Sequence, residues 1–163
     1  KLFKKYILSE AKRLVDAGVR VRFIGDRLRL EPRLVQLMDE LEKMTSKNTL
    51  VNLTVAINYG GRDEVARASR RMAQDVAKGK LNPDKVNEQT LARYLDTYVL
   101  PDPDLVIRTS GEARISNFPL WQSAYAEYEF VKTLWPDFTV RDFQEIVSIF
   151  GSRKRRFGGL LAS

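Results

Sequence analysis

Apolar positions recur along this chain with two periods, and the switches between them divide it into helices and strands. Leu2, Phe3, Tyr6, Ile7, Leu14 and Val15 fall on one helical face, and Gly18 supplies the left-handed residue that ends such a helix. From Val19 to Ile24, valine and phenylalanine alternate with Arg20 and Arg22, the period-two pattern of a strand covered on one face. Pro32 suits the first turn of a helix that turns Leu34, Val35, Met38, Leu41 and Met44 toward the core. Thr49 to Ile57, rich in β-branched residues, reads as the next strand. Asn58-Tyr59-Gly60-Gly61 predicts a tight turn into a helix from about Arg62 to Lys78, with Val65, Met72 and Val76 inward, and Asn82-Pro83 breaks it.

A short helix then carries Leu91, Tyr94, Leu95 and Tyr98, and Pro101 and Pro103 close it before a strand from Leu105 to Thr109. A Gly/Ser loop follows, then a short helix near Leu120 to Tyr125 and a brief strand around Tyr128 to Val131. Thr139 with Asp142 has the spacing of a capping box, opening a final helix expected to bury Phe143, Val147 and Phe150. This order of strands and helices with short connections predicts an α/β fold, a parallel β-sheet flanked by helices. No repeat, low-complexity run or linker interrupts it, so residues 1–163 are expected to form a single domain.

The loop after the Leu105 to Thr109 strand carries the densest chemistry. Arg108 and Arg114 stand six residues apart around Gly111, with the hydroxyls of Thr109, Ser110 and Ser116 beside them. Guanidinium groups grip phosphate oxygens in pairs and stay charged at physiological pH. In open α/β sheets ligands sit at the carboxyl ends of strands, where this loop lies. The spacing alone fits equally well a pair of surface arginines neutralised by Asp104 and Glu112.

Composition narrows the chemistry. With 44% apolar and 30% charged residues, the chain is ordinary for a globular protein. It contains neither cysteine nor histidine, which excludes disulfides, thiolate nucleophiles, Ser-His catalysis and His- or Cys-liganded zinc. Carboxylates, hydroxyls, lysine and arginine remain, a set suited to metal-assisted phosphate-ester chemistry. The formal charge of +7 invites a nucleic-acid reading. Four of the cations, however, form the block Arg153-Lys154-Arg155-Arg156 at the end of the last predicted helix, where they complement the helix dipole. That block reads as a solvated helix terminus or as a contact for diphosphate or anionic lipid, and no basic strand interleaved with aromatics favours nucleic acid. No apolar run approaches the length of a membrane span, and the basic start leads into an amphipathic pattern rather than a secretory signal.

The run Asp104-Leu105-Val106-Ile107-Arg108-Thr109-Ser110-Gly111-Glu112-Ala113-Arg114-Ile115-Ser116-Asn117-Phe118, with Leu120-Trp121-Gln122 and Ala124-Tyr125-Ala126-Glu127, resembles the signature of the cis-prenyltransferases, in particular the undecaprenyl diphosphate synthases. The resemblance extends upstream through Val21-Arg22-Phe23-Ile24-Gly25-Asp26 and Asn58-Tyr59-Gly60-Gly61-Arg62. Downstream it includes Leu134-Trp135-Pro136-Asp137-Phe138 and Arg155-Arg156-Phe157-Gly158-Gly159, so it covers nearly the whole chain. Ala113 departs from the family's usual larger polar residue and Pro119 from its usual aliphatic one.

The resemblance implies the cis-prenyltransferase fold and the condensation of isopentenyl diphosphate with an allylic diphosphate such as farnesyl diphosphate. Each step forms a cis double bond and releases diphosphate, with Mg2+ assisting, and the expected product is the undecaprenyl carrier lipid of cell-wall synthesis. By the same resemblance Arg108, Arg114, Ile115 and Ser116 bind isopentenyl diphosphate, Glu127 ligates Mg2+, and Arg156 and Gly158 belong to an R-x-G element that in some members reaches the other subunit's site. Val51, Val55 and Ile57 could line the family's product tunnel, although any buried strand needs such residues. Trp121, Tyr125 and Trp135 are expected in the core, and Asn58, Gly60 and Gly61 as turn formers.

Family members open with a strand and a phosphate loop that holds the essential aspartate. No such stretch precedes Lys1, so these residues are expected to be the C-terminal portion of a longer chain, inactive alone, with that aspartate upstream. A cytoplasmic homodimer is implied, peripheral at the inner membrane face through its product. The alternative is a non-catalytic partner subunit of a heteromeric prenyltransferase.

Overall fold

The computed structural model of the chain describes residues 10–153. The chain divides into two compact units, Lys1–Val99 and Leu100–Ser163. The expected helical face through Leu2, Phe3, Tyr6 and Ile7 and the R-x-G residues Arg156 and Gly158 lie outside the described residues.

In the first unit, helix α1 (described over 10–16) ends at Gly18, whose φ of 67° lets its N–H close on Val15 O at 3.0 Å. Strand β1 (Val19–Ile24) pairs in parallel with β2 (Val51–Ala56), in register from Val19 opposite Val51 to Ile24 opposite Ala56. Helix α2 (Pro32–Thr45) joins them and packs Met38 and Leu41 against Val21 and Phe23, with Ala11 of α1 completing the buried cluster. Thr45, rather than the expected Met44, takes the last inward position of α2. Its hydroxyl accepts the Val21 N–H at 3.0 Å while donating to Leu41 O at 2.8 Å, and Glu42 Oε1 accepts the Phe23 N–H at 2.7 Å. Two backbone donors of β1 are thus satisfied by helix side chains, which a buried methionine could not do.

Helix α3 (Gly61–Ala77) turns Gly61, Glu64 and Ala68 inward, a face displaced from the expected Val65, Met72 and Val76. Helix α4 (Glu88–Tyr94) is capped by Asn87, whose side chain accepts from the Thr90 N–H at 2.9 Å.

In the second unit, β3 (Leu105–Arg108) pairs in parallel with β4 (Glu127–Phe130), placing Leu105 opposite Glu127 and Arg108 opposite Phe130. The strands therefore form two parallel two-stranded sheets, one in each unit. Residues 120–125, expected as a short helix, form successive turns closed by Ala124 N–H to Trp121 O and Ala126 N–H to Ser123 O. Six residues give too few hydrogen bonds to offset the cost of helix nucleation. Glu127 opens β4, one residue before the expected start at Tyr128.

Helix α5 (Val140–Ser152) begins at the expected capping box, Thr139 and Asp142 bonding each other's backbone N–H. Its buried position is Ile146, whereas Phe143 and Val147 are exposed. Tyr125 and Trp135, expected in the core, are 73% and 72% exposed.

Candidate functional site

The β3 strand ends at Arg108 and delivers it to the mouth of the loop. The loop is anchored to the segment after β4: Ser110 N–H donates to Thr133 O at 2.9 Å and Gly111 N–H to Val131 O at 2.8 Å. Ser110, Gly111, Ser116 and Asn117 all adopt positive φ, from 52° to 76°. Three of these four are not glycine, so the loop holds a curl that side chains disfavour. The curl brings Arg108 and Arg114 onto one carboxylate. Glu112 Oε2 accepts from Arg108 Nη2 and Oε1 accepts from Arg114 Nη2, while Ser116 Oγ lies 3.5 Å from Arg108 Nη2.

Hydrogen bonding to Arg108, reinforced by the charge of Arg114, holds the Glu112 carboxyl below its ordinary pKa. Two guanidinium groups converging on two oxygens of one anion is the arrangement that would equally receive phosphate oxygens. The Arg108 side chain is 34% exposed and that of Arg114 66%, so one arginine is seated and the other is free to adjust. Arg108 Nε is buried and has no hydrogen-bond partner, leaving a charged donor unsatisfied inside the loop. Ile115 is exposed at the apex, its carbonyl accepting the Phe118 N–H at 3.2 Å. Glu112 is thus a partner of both arginines, as the surface reading of the spacing also allowed.

Glu127 N–H donates to Asp104 O at 2.9 Å, fixing the start of β4 beside β3. Its carboxylate and that of Glu129, two residues along the same strand face, are spanned by one guanidinium: Arg153 Nη1 lies 3.1 Å from Glu127 Oε2 and Nη2 lies 2.7 Å from Glu129 Oε2. Both hydrogen bonds raise the Arg153 pKa, that to Glu129 contributing more. Among the described residues no group of three or more acidic side chains is arranged as a metal cage. Magnesium does not require one, because it takes one or two carboxylates together with substrate phosphates. Glu127 and Glu129 fit that smaller donor set.

A second polar cluster lies at the carboxyl ends of β1 and β2. Asn58 (φ 49°) turns the chain after β2 and donates from Nδ2 to Asp26 O at 2.9 Å. Glu64 is fully buried, accepting from Tyr59 Oη at 2.7 Å and from the Asp96 N–H at 2.8 Å. Asp96 in turn accepts from the Gly25 N–H at 3.2 Å and from both terminal nitrogens of Arg67. Sequence reasoning did not single out Glu64, Arg67 or Asp96. The apolar period of α3 did not point to Glu64, because the buried face of Gly61, Glu64 and Ala68 is displaced from the one that Val65, Met72 and Val76 define.

The family described as "Putative undecaprenyl diphosphate synthase" matches residues 1–158. The chain belongs to this cis-prenyltransferase family. It is 46% identical to an isoprenyl transferase of Agrobacterium fabrum over 98% of this chain, and it spans 64% of that relative's length. A Thermobifida fusca protein named trans,polycis-polyprenyl diphosphate synthase ((2Z,6E)-farnesyl diphosphate specific) is 51% identical over 87% of this chain and 50% of its own. Among solved structures, lavandulyl diphosphate synthase from Lavandula x intermedia, in complex with dimethylallyl diphosphate, superposes with a TM-score of 0.92. It is 34% identical, over 96% of this chain and 68% of that one. A "probable undecaprenyl diphosphate synthase" from Campylobacter jejuni gives a TM-score of 0.83 at 37% identity, over 96% and 71% of the two chains. The parallel strands and flanking helices are thus those of a cis-prenyltransferase. Among the described residues no helix is long and apolar enough to cross a membrane.

Proposed function

We propose that this chain carries the homoallylic diphosphate site of a cis-prenyltransferase that joins isopentenyl diphosphate to an allylic diphosphate, farnesyl diphosphate being the expected primer. The observation that carries this reading is the convergence of Arg108 and Arg114 on the two oxygens of Glu112, with Ser116 alongside. In the reaction the allylic carbon–oxygen bond breaks, a carbon–carbon bond forms to isopentenyl diphosphate, and a proton leaves to set the new cis double bond. Arg108, Arg114 and Ser116 hold the isopentenyl diphosphate anion, with the backbone at Ile115 assisting, so that its double bond is presented in a fixed orientation. Glu127 would hold Mg2+ together with diphosphate oxygens. When bound, that ion supplies charge neutralisation for a diphosphate.

A homodimer, an undecaprenyl product for cell-wall synthesis and a cytoplasmic enzyme whose product meets the membrane complete the reading, and the description of the matching family supports the product. The presence together of Arg108, Arg114 and Glu127 favours an enzyme over a non-catalytic partner subunit, which has no chemical need of all three. The test uses the full-length polypeptide and radiolabelled isopentenyl diphosphate. Label should enter a polyprenyl product only when both an allylic primer and Mg2+ are supplied, and chromatography of that product reads the chain length. Turnover undiminished by excess chelator would remove the metal from the reading.

A further inference from the structure

We infer that Arg153 is a counter-ion latch on Glu127, withholding that carboxylate from a free cation and yielding it to a cation that arrives with phosphate. The inference rests on the reading of Glu127 as a cation ligand and adds to it the residue that controls its availability.

Three observations carry it. One guanidinium spans both β4 carboxylates, at 3.1 Å from Glu127 Oε2 and 2.7 Å from Glu129 Oε2, so one oxygen of each carboxylate is already engaged and its charge partly neutralised. Arg153 is the residue that ends α5, its N–H bonded to Phe150 O at 3.1 Å, which fixes the backbone while leaving the side chain 36% exposed. The guanidinium can therefore leave the carboxylates without unravelling the helix. Finally, two carboxylates and one guanidinium leave a single net negative charge, so an incoming dication meets a resident cation that must move aside.

Exposed ion pairs are individually weak, which makes such a latch one that opens. A phosphate brought with the dication gives the released guanidinium a partner it binds in the same two-pronged way as the carboxylates it left. Exchange of partners then couples cation binding to phosphate binding, and the coupling is reciprocal.

Titration with Mn2+, followed by the electron paramagnetic resonance of the free ion, tests this without turnover. The protein is titrated with Mn2+ alone and again with preformed Mn2+–diphosphate. Arg153→Gln should bind Mn2+ alone roughly tenfold more tightly than the unsubstituted protein, and gain less from diphosphate. Arg153→Lys, which keeps the charge without the fork, should fall between, and it carries the test if the glutamine variant does not fold. Adding Glu127→Gln to Arg153→Gln should abolish the gain. If Glu127→Gln weakens Mn2+ binding but neither Arg153 variant alters it, the latch is overturned and the ligand reading stands. If Glu127→Gln changes nothing in either background, the ligand reading falls and takes the latch with it.

Discussion

Arg67 and Asp96 form a two-pronged ion pair, with Nη1 and Nη2 of the guanidinium 3.0 and 2.7 Å from the two carboxylate oxygens. The pair ties α3 to the segment after α4, and Asp96 extends the tie to the turn after β1 by accepting the Gly25 N–H at 3.2 Å. Arg67 also holds Asp63 at 2.8 Å, which together with Asp96 raises the arginine's pKa above its ordinary value. The two side chains of the pair are 19% and 15% exposed, so removing one charge leaves the other poorly solvated. Asp96→Asn is expected to lower the unfolding free energy by about 2 kcal/mol, read from urea denaturation. A midpoint equal to that of the unsubstituted protein would show the pair to be ornamental.

Glycine substitutions separate steric from conformational cost. Gly25 has φ 116°, and a Cβ there would lie 2.1 Å from Ile57 O, a backbone atom that cannot step aside. Gly79, with φ 69°, has nothing within 4 Å. Gly25→Ala should therefore cost roughly 3 kcal/mol or more, and Gly79→Ala only about 1 kcal/mol, the penalty of a left-handed alanine. Equal shifts of melting temperature for the two variants would contradict the clash.

The α5 capping box gives a pH-dependent test. Thr139 holds the Asp142 carboxyl below its ordinary 3.8, through its hydroxyl first and its backbone N–H second. A carboxylate whose folded pKa is depressed stabilises the fold fully above its unfolded pKa and loses that contribution as pH falls through the lower, folded value. Thr139→Ala should cost about 1 kcal/mol near neutral pH through the lost cap. Its melting temperature should also fall less steeply than the parent's below about pH 4, where Asp142 protonates. A difference between the two proteins that is constant from pH 7 to pH 2 would show that Asp142 plays no part in the box.

The elements were largely legible because apolar period and breaker residues act locally: β1, α2 and α3 follow from alternation, Pro32 and Gly60-Gly61. Inward faces were less legible where a polar side chain does the packing. Glu64 is buried because Tyr59 and the Asp96 N–H satisfy it, and Asp96 stands 32 residues away. Thr45 displaces Met44 because β1 needs an acceptor there, a demand invisible until the strand is placed. The chemistry proposed for the loop was legible in residue types, since Arg108, Arg114 and Ser116 are donors of the kind that bind anions. The Arg153 contacts were not, because Glu127 and Glu129 lie 26 and 24 residues before it and the basic run suggests a helix terminus or a contact for diphosphate or anionic lipid.

Arg114→Lys keeps the charge and removes the planar fork. Lysine offers a point charge to two phosphate oxygens, and the exposed side chain has no packing to lose. The Michaelis constant for isopentenyl diphosphate should rise by a factor equivalent to about 1–3 kcal/mol, the range of a charge-assisted hydrogen bond, with melting temperature unchanged. An unaltered Michaelis constant would demote Arg114 to a surface partner of Glu112.

Glu127→Gln preserves size and one oxygen while removing the charge that a hard cation requires. If Glu127 ligates Mg2+, the variant should need more Mg2+ for half-maximal activity and lose turnover at saturating substrate. Its melting temperature should stay close to the parent's, because Arg153 keeps Glu129 at 2.7 Å and the β4 backbone remains tied through the Glu127 N–H to Asp104 O. A glutamate present only to anchor Arg153 gives the opposite pair of results: a lowered melting temperature and an unchanged Mg2+ requirement. Measuring both on the same preparation decides between ligand and anchor, since a partial loss of activity alone fits either.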